Sequence, residues 1–228
     1  METTVFLIRH GVTAWHDEKR LLGQRDIELN EEGLAQADAI ADALADLNIS
    51  EVITSPLTRA VQTATKLAER YQTQVTRDPR LIDFGVGRWE GLSYQAVAAS
   101  PEYQRFLQDP LSAGIPGGET LLGVRDRAVA AIEQILQDTP AGDPVALISH
   151  AGVVRVLLAH YLGSNLANYH RLRVAPGSVS VLSFADGREL PRVLVTNWLP
   201  RIRNSLGWTA RAGQATAARV AQDARLPP

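Results

Sequence analysis

The heptapeptide VFLIRHG at residues 5–11 is a short apolar run that ends in an arginine, a histidine and a glycine. A second run, VALISHAG at residues 145–152, ends in the same way at His150 and leads into a helical pattern. Both runs read as buried strands. Because open α/β sheets place their ligands at the carboxyl ends of parallel strands, we expect Arg9, His10 and His150 to meet at one edge.

Further apolar runs at 51–54 and 179–184 alternate with helical patterns at 31–47, 57–71 and 119–137. Asn30 is a suitable N-cap for the first helix, Ser55-Pro56 opens the second, and Glu119 opens the third. This alternation predicts an α/β fold, a three-layer sandwich whose mostly parallel sheet is flanked by helices.

A chain of 228 residues with 45% hydrophobic residues is the usual size of one α/β domain. We assign residues 1–200 to that domain. The mixed, proline-containing segment 93–116 is expected to form a small helical lobe over the active site. Residues 201–228 are expected to form a C-terminal tail or surface helix.

The charge balance and the residues that are missing narrow the classes of partner. A formal charge of −2 without long runs of one sign argues against nucleic acid and anionic membranes as partners. The sequence contains no apolar segment long enough to predict a membrane span. The absence of cysteine excludes disulfides and thiol chemistry, so a cytoplasmic protein is expected. A homodimer is the candidate assembly.

The predicted edge of the sheet is strongly cationic. Arg59 lies near the start of a helix and can point back over the strand ends that carry Arg9 and the two histidines. Forked guanidinium donors together with a protonated imidazole suit a phosphate dianion, so neither a metal nor a cofactor is required. If His10 is held neutral, one ring nitrogen can attack phosphorus and form a phosphohistidine.

A leaving oxygen would need a proton, and the carboxyl of Asp83 is the best candidate donor. Burial and a nearby substrate phosphate would raise its pKa, after which the carboxylate could activate water. Asp83 could instead be a turn residue that bonds its own backbone, with Glu90 as the acid. Both assignments stay open at this stage.

Several fragments together resemble the histidine phosphatase superfamily, also called phosphoglycerate mutase-like, over roughly residues 4–198. They are RHG at 9–11, SPLTR at 55–59, Thr63-Ala64, WEG at 89–91, GGET at 117–120 and SHAG at 149–152. The resemblance implies that His10 is phosphorylated and that Arg9, Arg59 and His150 hold the phosphate. It also implies that Asp83 takes the place of the proton donor.

Three positions depart from the usual pattern of that family. His16 stands where an asparagine is typical, Val12 replaces a Glu or Gln, and Asp83 stands where glutamate is commoner. His16 could still donate to the substrate phosphate, and its titration near neutral pH would make binding pH-dependent. The loop residues Gln24 and Arg25 border the phosphate in the resemblance, with a solvated loop as the alternative.

Other polar residues have simpler interpretations. His150 could merely cap its helix, and the carboxylate of Glu119 is favoured at a helix start whether or not it orients the site. His160 and His170 lack motif context and read as structural or surface residues. The tail residues Arg201, Arg203 and Arg211 could reach the pocket mouth, although a solvated basic face explains them equally.

The function expected from the sequence is a metal-independent phosphomonoesterase of the histidine acid-phosphatase type, acting on small phosphorylated metabolites through phosphohistidine. One alternative is a phosphoglycerate mutase, which returns the phosphoryl group to a rebound product. Val12 and His16 stand where the mutase branch keeps a Glu and an Asn, which favours hydrolysis. A non-catalytic phosphate-binding module is the third hypothesis.

Overall fold

A six-stranded sheet forms the centre of the computed structural model, which describes residues 2–185 and 190–200. The strands are β1 (Glu2–Arg9), β2 (Glu51–Thr54), β3 (Val75–Arg77), β4 (Val145–Ser149), β5 (Val179–Ala185) and β6 (Arg192–Trp198). Their order is β3-β2-β4-β1-β5-β6. Strands β3, β2, β4 and β1 run parallel, whereas β5 is antiparallel to both β1 and β6.

The four strands predicted from apolar runs are confirmed, and so is the three-layer α/β class. Strands β3 and β6 were not predicted. Strand β3 has three residues, of which Thr76 and Arg77 are exposed, and β6 lies at the edge of the sheet with no fully buried residue. Neither strand therefore has the apolar run that marks a buried strand.

Seven α-helices connect and cover the strands within the described part of the chain. They are α1 (Ala14–Asp17), α2 (Glu31–Leu44), α3 (Thr58–Tyr71), α4 (Tyr94–Ala98), α5 (Pro101–Gln108), α6 (Leu121–Asp138) and α7 (Ala151–Tyr161). The predicted cap of α2 is confirmed, because the side chain of Asn30 accepts from Gly33 N at 2.9 Å. The expected start of α6 was wrong: Glu119 precedes the helix, and Thr120 is its N-cap.

Alternate residues of the central strands build two separate cores. Leu7 and Leu147 pack on the face covered by α6 and α7, whereas Ile8 and Ile148 pack on the face covered by α2 and α3. Burial on both faces explains why β1 and β4 read as continuous apolar runs. It also leaves the strand ends as the place where polar side chains can gather.

The segment 93–116 contains the two short helices α4 and α5, as the mixed pattern suggested. Phe106 of α5 packs edge-on against Phe84 and Trp89, with ring centroids 6.5 and 5.9 Å apart. These contacts attach the lobe to the stretch that carries Asp83. The predicted tail at 201–228 lies outside the described residues, and none of the described helices has the length and apolar character needed to cross a bilayer.

Candidate active site

The register of β1 and β4 brings the two histidines together, as predicted. Arg9 pairs with Ser149 at the end of the two strands, and His10 N donates to Ser149 O at 3.1 Å. The ring centroids of His10 and His150 are 5.0 Å apart, and both residues are about 1% exposed. The carboxyl edge of the parallel strands is therefore a buried pocket with two imidazoles at its base.

His10 is arranged as a neutral imidazole with a lone pair on Nε2. Its Nδ1 lies 2.7 Å from Gly11 O, so Nδ1–H donates to that carbonyl. Nε2 then accepts from Arg59 Nε at 3.2 Å. Burial, and next the charge of Arg59, hold the pKa of His10 well below its ordinary value. A neutral, oriented Nε2 is what a nucleophilic histidine needs.

Arg59 is fully buried and is held in one orientation. Its Nη1 donates to Arg25 O at 2.6 Å, and its Nη2 donates to Gly23 O at 2.7 Å and to the carboxylate of Asp83 at 2.9 Å. Backbone carbonyls of the loop after β1 therefore hold the guanidinium of Arg59 in place. Arg59 is therefore a fixed cation beside His10, and the Asp83 carboxyl offsets its charge only in part.

Arg9 contributes the second fixed cation of the pocket. Its Nη1 donates to Val174 O at 2.8 Å, and its Nη2 lies 2.6 Å from His16 Nε2. Its Nε is buried and has no partner among residues 2–185 and 190–200. Burial lowers the pKa of Arg9 to about 10, so the guanidinium stays charged at neutral pH.

His150 is the N-cap residue of α7 by position, but its side chain does not cap the helix. Its Nε2 lies 2.7 Å from Ser55 Oγ, and its Nδ1 lies 3.6 Å from Asp83 Oδ2. Nδ1 is buried without a hydrogen-bond partner in the described part of the chain. Burial holds the pKa of His150 well below its ordinary value. This direction favours a neutral His150, whereas the sequence predicts a protonated imidazole beside a phosphate dianion.

Asp83 lies at the pocket with both carboxyl oxygens in use. Oδ1 accepts from Phe84 N at 2.8 Å and Oδ2 accepts from Arg59. Burial raises the pKa of Asp83, while Arg59 opposes the shift, and the net direction is upward as a proton donor requires. Glu90, the alternative acid, instead accepts from Gln24 N at 2.8 Å and lies 3.4 Å from Arg25 Nε.

His16 does not behave as its position in the sequence suggested. Burial and the neighbouring Arg9 lower the pKa of His16 to about 4, so the expected titration near neutral pH is wrong. The short contact with Arg9 Nη2 makes His16 Nε2 the acceptor and Arg9 the donor. His16 thus orients Arg9 in this structure. Direct binding of phosphate by His16 stays a prediction.

A clamp that the sequence did not predict holds the loop of Asp83. Arg127 of α6 donates to Arg80 O at 2.6 Å, Ile82 O at 2.7 Å and Asp83 O at 3.1 Å. Its guanidinium is paired with Glu119 at 2.8 Å. In the sequence, Arg127 is marked only as a cationic residue beside the apolar stripe of α6. That signal is weak, because most such residues face solvent.

Glu119 and Gln24 complete this clamp. Glu119 Oε2 accepts from Gly85 N at 2.7 Å, and the Gln24 amide donates to Asp83 O at 3.1 Å and to Glu119 Oε2 at 3.4 Å. Glu119 therefore orients the site through its own hydrogen bonds and ion pair, and not through an interaction with a helix dipole. Because the Gln24 amide already serves the loop of Asp83, its predicted contact with phosphate remains a prediction.

Replacing Arg127 with alanine is expected to lower both stability and activity, because three loop carbonyls and the Glu119 carboxylate each lose a charged donor. We expect a loss of about 2 kcal/mol in the free energy of unfolding and a fall of about ten-fold or more in kcat. Urea unfolding and steady-state kinetics would measure both. Arg125→Ala is the control: Arg125 is on the same helix, but among the described residues its ion pair is with exposed Asp126 alone. Equal effects of the two changes would contradict the clamp.

Comparison with known proteins shows the family to which this chain belongs. The model of the histidine phosphatase superfamily, branch 1, matches residues 5–198, and the chain belongs to that family. A probable phosphoglycerate mutase, GpmB of Yersinia pestis, is 32% identical over 215 residues, which are 93% of this chain and 93% of that protein.

Two solved mycobacterial structures are also similar to this chain. One, described as a mycobacterial hydrolase, has a TM-score of 0.80 and 30% identity, and the match covers 87% of this chain and all of that one. The other is a glucosyl-3-phosphoglycerate phosphatase complexed with VO3, with a TM-score of 0.77 and 30% identity over 85% of this chain and 98% of that one.

Proposed function

We propose that this protein is a phosphomonoesterase that hydrolyses small phosphorylated metabolites through a phosphohistidine at His10. One observation carries the proposal: Arg9 Nε and His150 Nδ1 are buried without a partner among the described residues, at the pocket that holds His10 Nε2. Buried polar atoms without partners are costly, and a phosphate dianion would supply an acceptor for Arg9 Nε and a partner for His150 Nδ1. The phosphatase named among the similar structures supports the same reaction class.

The first chemical step transfers the phosphoryl group to the enzyme. His10 Nε2 attacks phosphorus in line while the ester P–O bond breaks, and the protonated Asp83 gives its proton to the leaving oxygen. Arg9 and Arg59 stabilise the charge that spreads over the equatorial oxygens. The approach of a phosphate dianion to Asp83 would keep that carboxyl protonated until it is used.

The second step returns the enzyme to its starting state. The Asp83 carboxylate takes a proton from water, the oxygen of that water attacks phosphorus, and the P–N bond to His10 breaks. Inorganic phosphate leaves, and Asp83 is protonated again. The same carboxyl therefore acts as acid in one step and as base in the next.

The direct test is phosphate release from a panel of phosphorylated metabolites, including sugar phosphates, phosphoglycerates, phosphoserine and nucleotides. We expect turnover of several members and acid-labile labelling of His10 during turnover. A protein that bound these compounds but released no phosphate from any of them would support the non-catalytic alternative.

A phosphoglycerate mutase is the second candidate function, because the curated relative at 32% identity carries that name. The two reactions share the phosphohistidine and differ in whether water or a rebound product accepts the phosphoryl group. Incubation with 3-phosphoglycerate distinguishes them. Formation of 2-phosphoglycerate faster than inorganic phosphate would identify a mutase.

Strong chelators are expected to leave activity unchanged. Arg9 and Arg59 supply the positive charge that a metal ion would otherwise provide, and in the described ranges 2–185 and 190–200 no group of three or more His, Cys, Asp or Glu could hold a metal. Activity would be measured after prolonged incubation with chelator and gel filtration. Loss of activity that returns on adding a divalent metal would overturn the prediction.

We also propose a cytoplasmic location. None of the 228 residues is a cysteine, so the chain has no disulfide that would require an oxidising compartment. Cell fractionation followed by immunodetection would test this. A homodimer, the assembly considered from the sequence, would be tested by the molecular mass in solution.

A further inference from the structure

Ser55 lies directly behind the candidate active site, and its side chain contacts His150. It follows strand β2, its backbone N donates to Ile148 O at 2.9 Å, and the residue is fully buried. Its hydroxyl oxygen lies 2.7 Å from His150 Nε2 and also accepts from Leu57 N at 3.3 Å. The hydroxyl therefore joins the β2–α3 turn to the imidazole.

The direction of the Ser55–His150 hydrogen bond follows from counting protons. Within the described residues, the Ser55 hydroxyl makes no other hydrogen bond than those to His150 and Leu57, and Leu57 N is a donor. The hydroxyl proton therefore has one acceptor, His150 Nε2. If Nε2 carried the proton instead, the hydroxyl hydrogen would be buried without an acceptor, which costs free energy.

The protonation state of His150 makes this direction important. Burial keeps the imidazole neutral, so it carries one N–H, and whichever nitrogen lacks that proton presents a lone pair. Nδ1 is the nitrogen that faces Asp83, at 3.6 Å. A lone pair on Nδ1 would repel an anion in the pocket, whereas Nδ1–H would donate to it. The cationic groups that lower the pKa of the ring are Arg59, Arg9 and Arg127, and the titratable carboxyl of Asp83 also faces it.

We propose that Ser55 is a positioning residue whose hydroxyl donates to Nε2 of His150 and thereby fixes the Nδ1–H tautomer, which makes a neutral imidazole a donor to the substrate phosphate. The proposal rests on the proposed phosphatase function for its consequence. The tautomer itself can be tested without turnover. Ser55 acts through His150 and does not touch the phosphate.

The first experiment measures the tautomer by 15N NMR of the imidazole nitrogens, with His150 assigned by its loss in His150→Gln. In the wild type we expect a protonated Nδ1 and an unprotonated Nε2 at neutral pH. Protonated Nε2 in the wild type would overturn the proposal, whatever the behaviour of any variant. In Ser55→Ala we expect both 15N shifts to move to intermediate values, because Nε2 no longer has its donor and the two tautomers exchange rapidly.

The second experiment measures binding of vanadate, a mimic of the five-coordinate phosphoryl group, and kcat/KM. We expect Ser55→Ala to weaken vanadate binding and to lower kcat/KM by about two-fold to ten-fold, the factor by which the population of the Nδ1–H tautomer falls. Ser149→Ala is the matched control. Ser149 is also fully buried and precedes His150, but its hydroxyl donates to Leu81 O at 2.8 Å.

The two variants separate the proposed role from a structural one. Equal losses in Ser55→Ala and Ser149→Ala, with an unchanged His150 tautomer, would overturn the proposal and leave a packing role. If the wild type released no phosphate from any substrate, the proposed function would fail. Protonated Nδ1 and weaker vanadate binding in Ser55→Ala would then still support the role of Ser55.

Discussion

His10→Ala is expected to abolish turnover, leaving less than about a hundredth of the wild-type rate on any phosphate ester. The substitution removes the nitrogen that would form the bond to phosphorus, and no neighbouring nucleophile can replace it. His150 is the nearest imidazole, but its Nε2 is engaged by Ser55 and its ring is 5.0 Å from that of His10. The measurements are steady-state phosphate release and acid-labile phosphate on the protein.

The fold should survive this substitution, because the side chain of His10 contacts the polar pocket and not either core. A circular dichroism spectrum like that of the wild type would check this. His170→Ala is the control, since His170 is exposed and distant in sequence from every motif. Retention of more than about a hundredth of the wild-type rate in His10→Ala would rule out the covalent mechanism.

Asp83→Asn is expected to produce a loss that depends on the leaving group. An alkyl phosphate needs a proton on its departing alkoxide, and its turnover should fall by about a hundred-fold or more. Nitrophenolate is a weak base that departs without a proton, so phosphorylation of His10 by p-nitrophenyl phosphate should fall far less. The asparagine keeps the size of the side chain, and its single amide oxygen can still accept from Arg59, although the hydrogen bond from Phe84 N is then lost.

The same variant should accumulate phosphohistidine when it is given p-nitrophenyl phosphate. Phosphorylation would be fast, while dephosphorylation would lack the base that activates water. Rapid-quench kinetics would then show a burst of nitrophenolate followed by a slow steady state. An equal loss for both leaving groups without a burst would remove Asp83 from the role.

Glu90→Gln is the matched control for Asp83, since Glu90 is the alternative acid. Its carboxylate accepts from Gln24 N and lies near Arg25, so we expect a modest loss that is the same for both substrates. A loss in Glu90→Gln that depended on the leaving group would instead assign the proton to Glu90.

Much of the fold and the core of the site could be predicted because their signals are local in the chain. Strands β1 and β4 are buried on both faces and therefore appear as apolar runs that stop at Arg9 and Ser149. Strand direction then requires the residues after both runs to meet at one edge. Strands β3 and β6 escaped prediction because they are short, exposed or at the sheet edge, where burial imposes no pattern.

The chemical state of the site could not be predicted in the same way. The sequence predicts titration near neutral pH for His16 and a protonated imidazole at the phosphate, since an imidazole ordinarily gains its proton in this range. Burial beside two guanidiniums, which come from β1 and α3, lowers the pKa values of both His16 and His150. Desolvation and charge depend on neighbours that are far apart in the chain, so no local motif contains them.

The sequence alone determined the family motifs, four of the strands and the residue types that meet at the sheet edge. Only the tertiary structure decided which atoms of those residues are free. It brings Arg127 from α6 to the loop of Asp83, and it places the Ser55 hydroxyl against His150 Nε2. The physical reason is that hydrogen bonds depend on distances and angles between side chains from separate elements, which become defined only when the two cores pack.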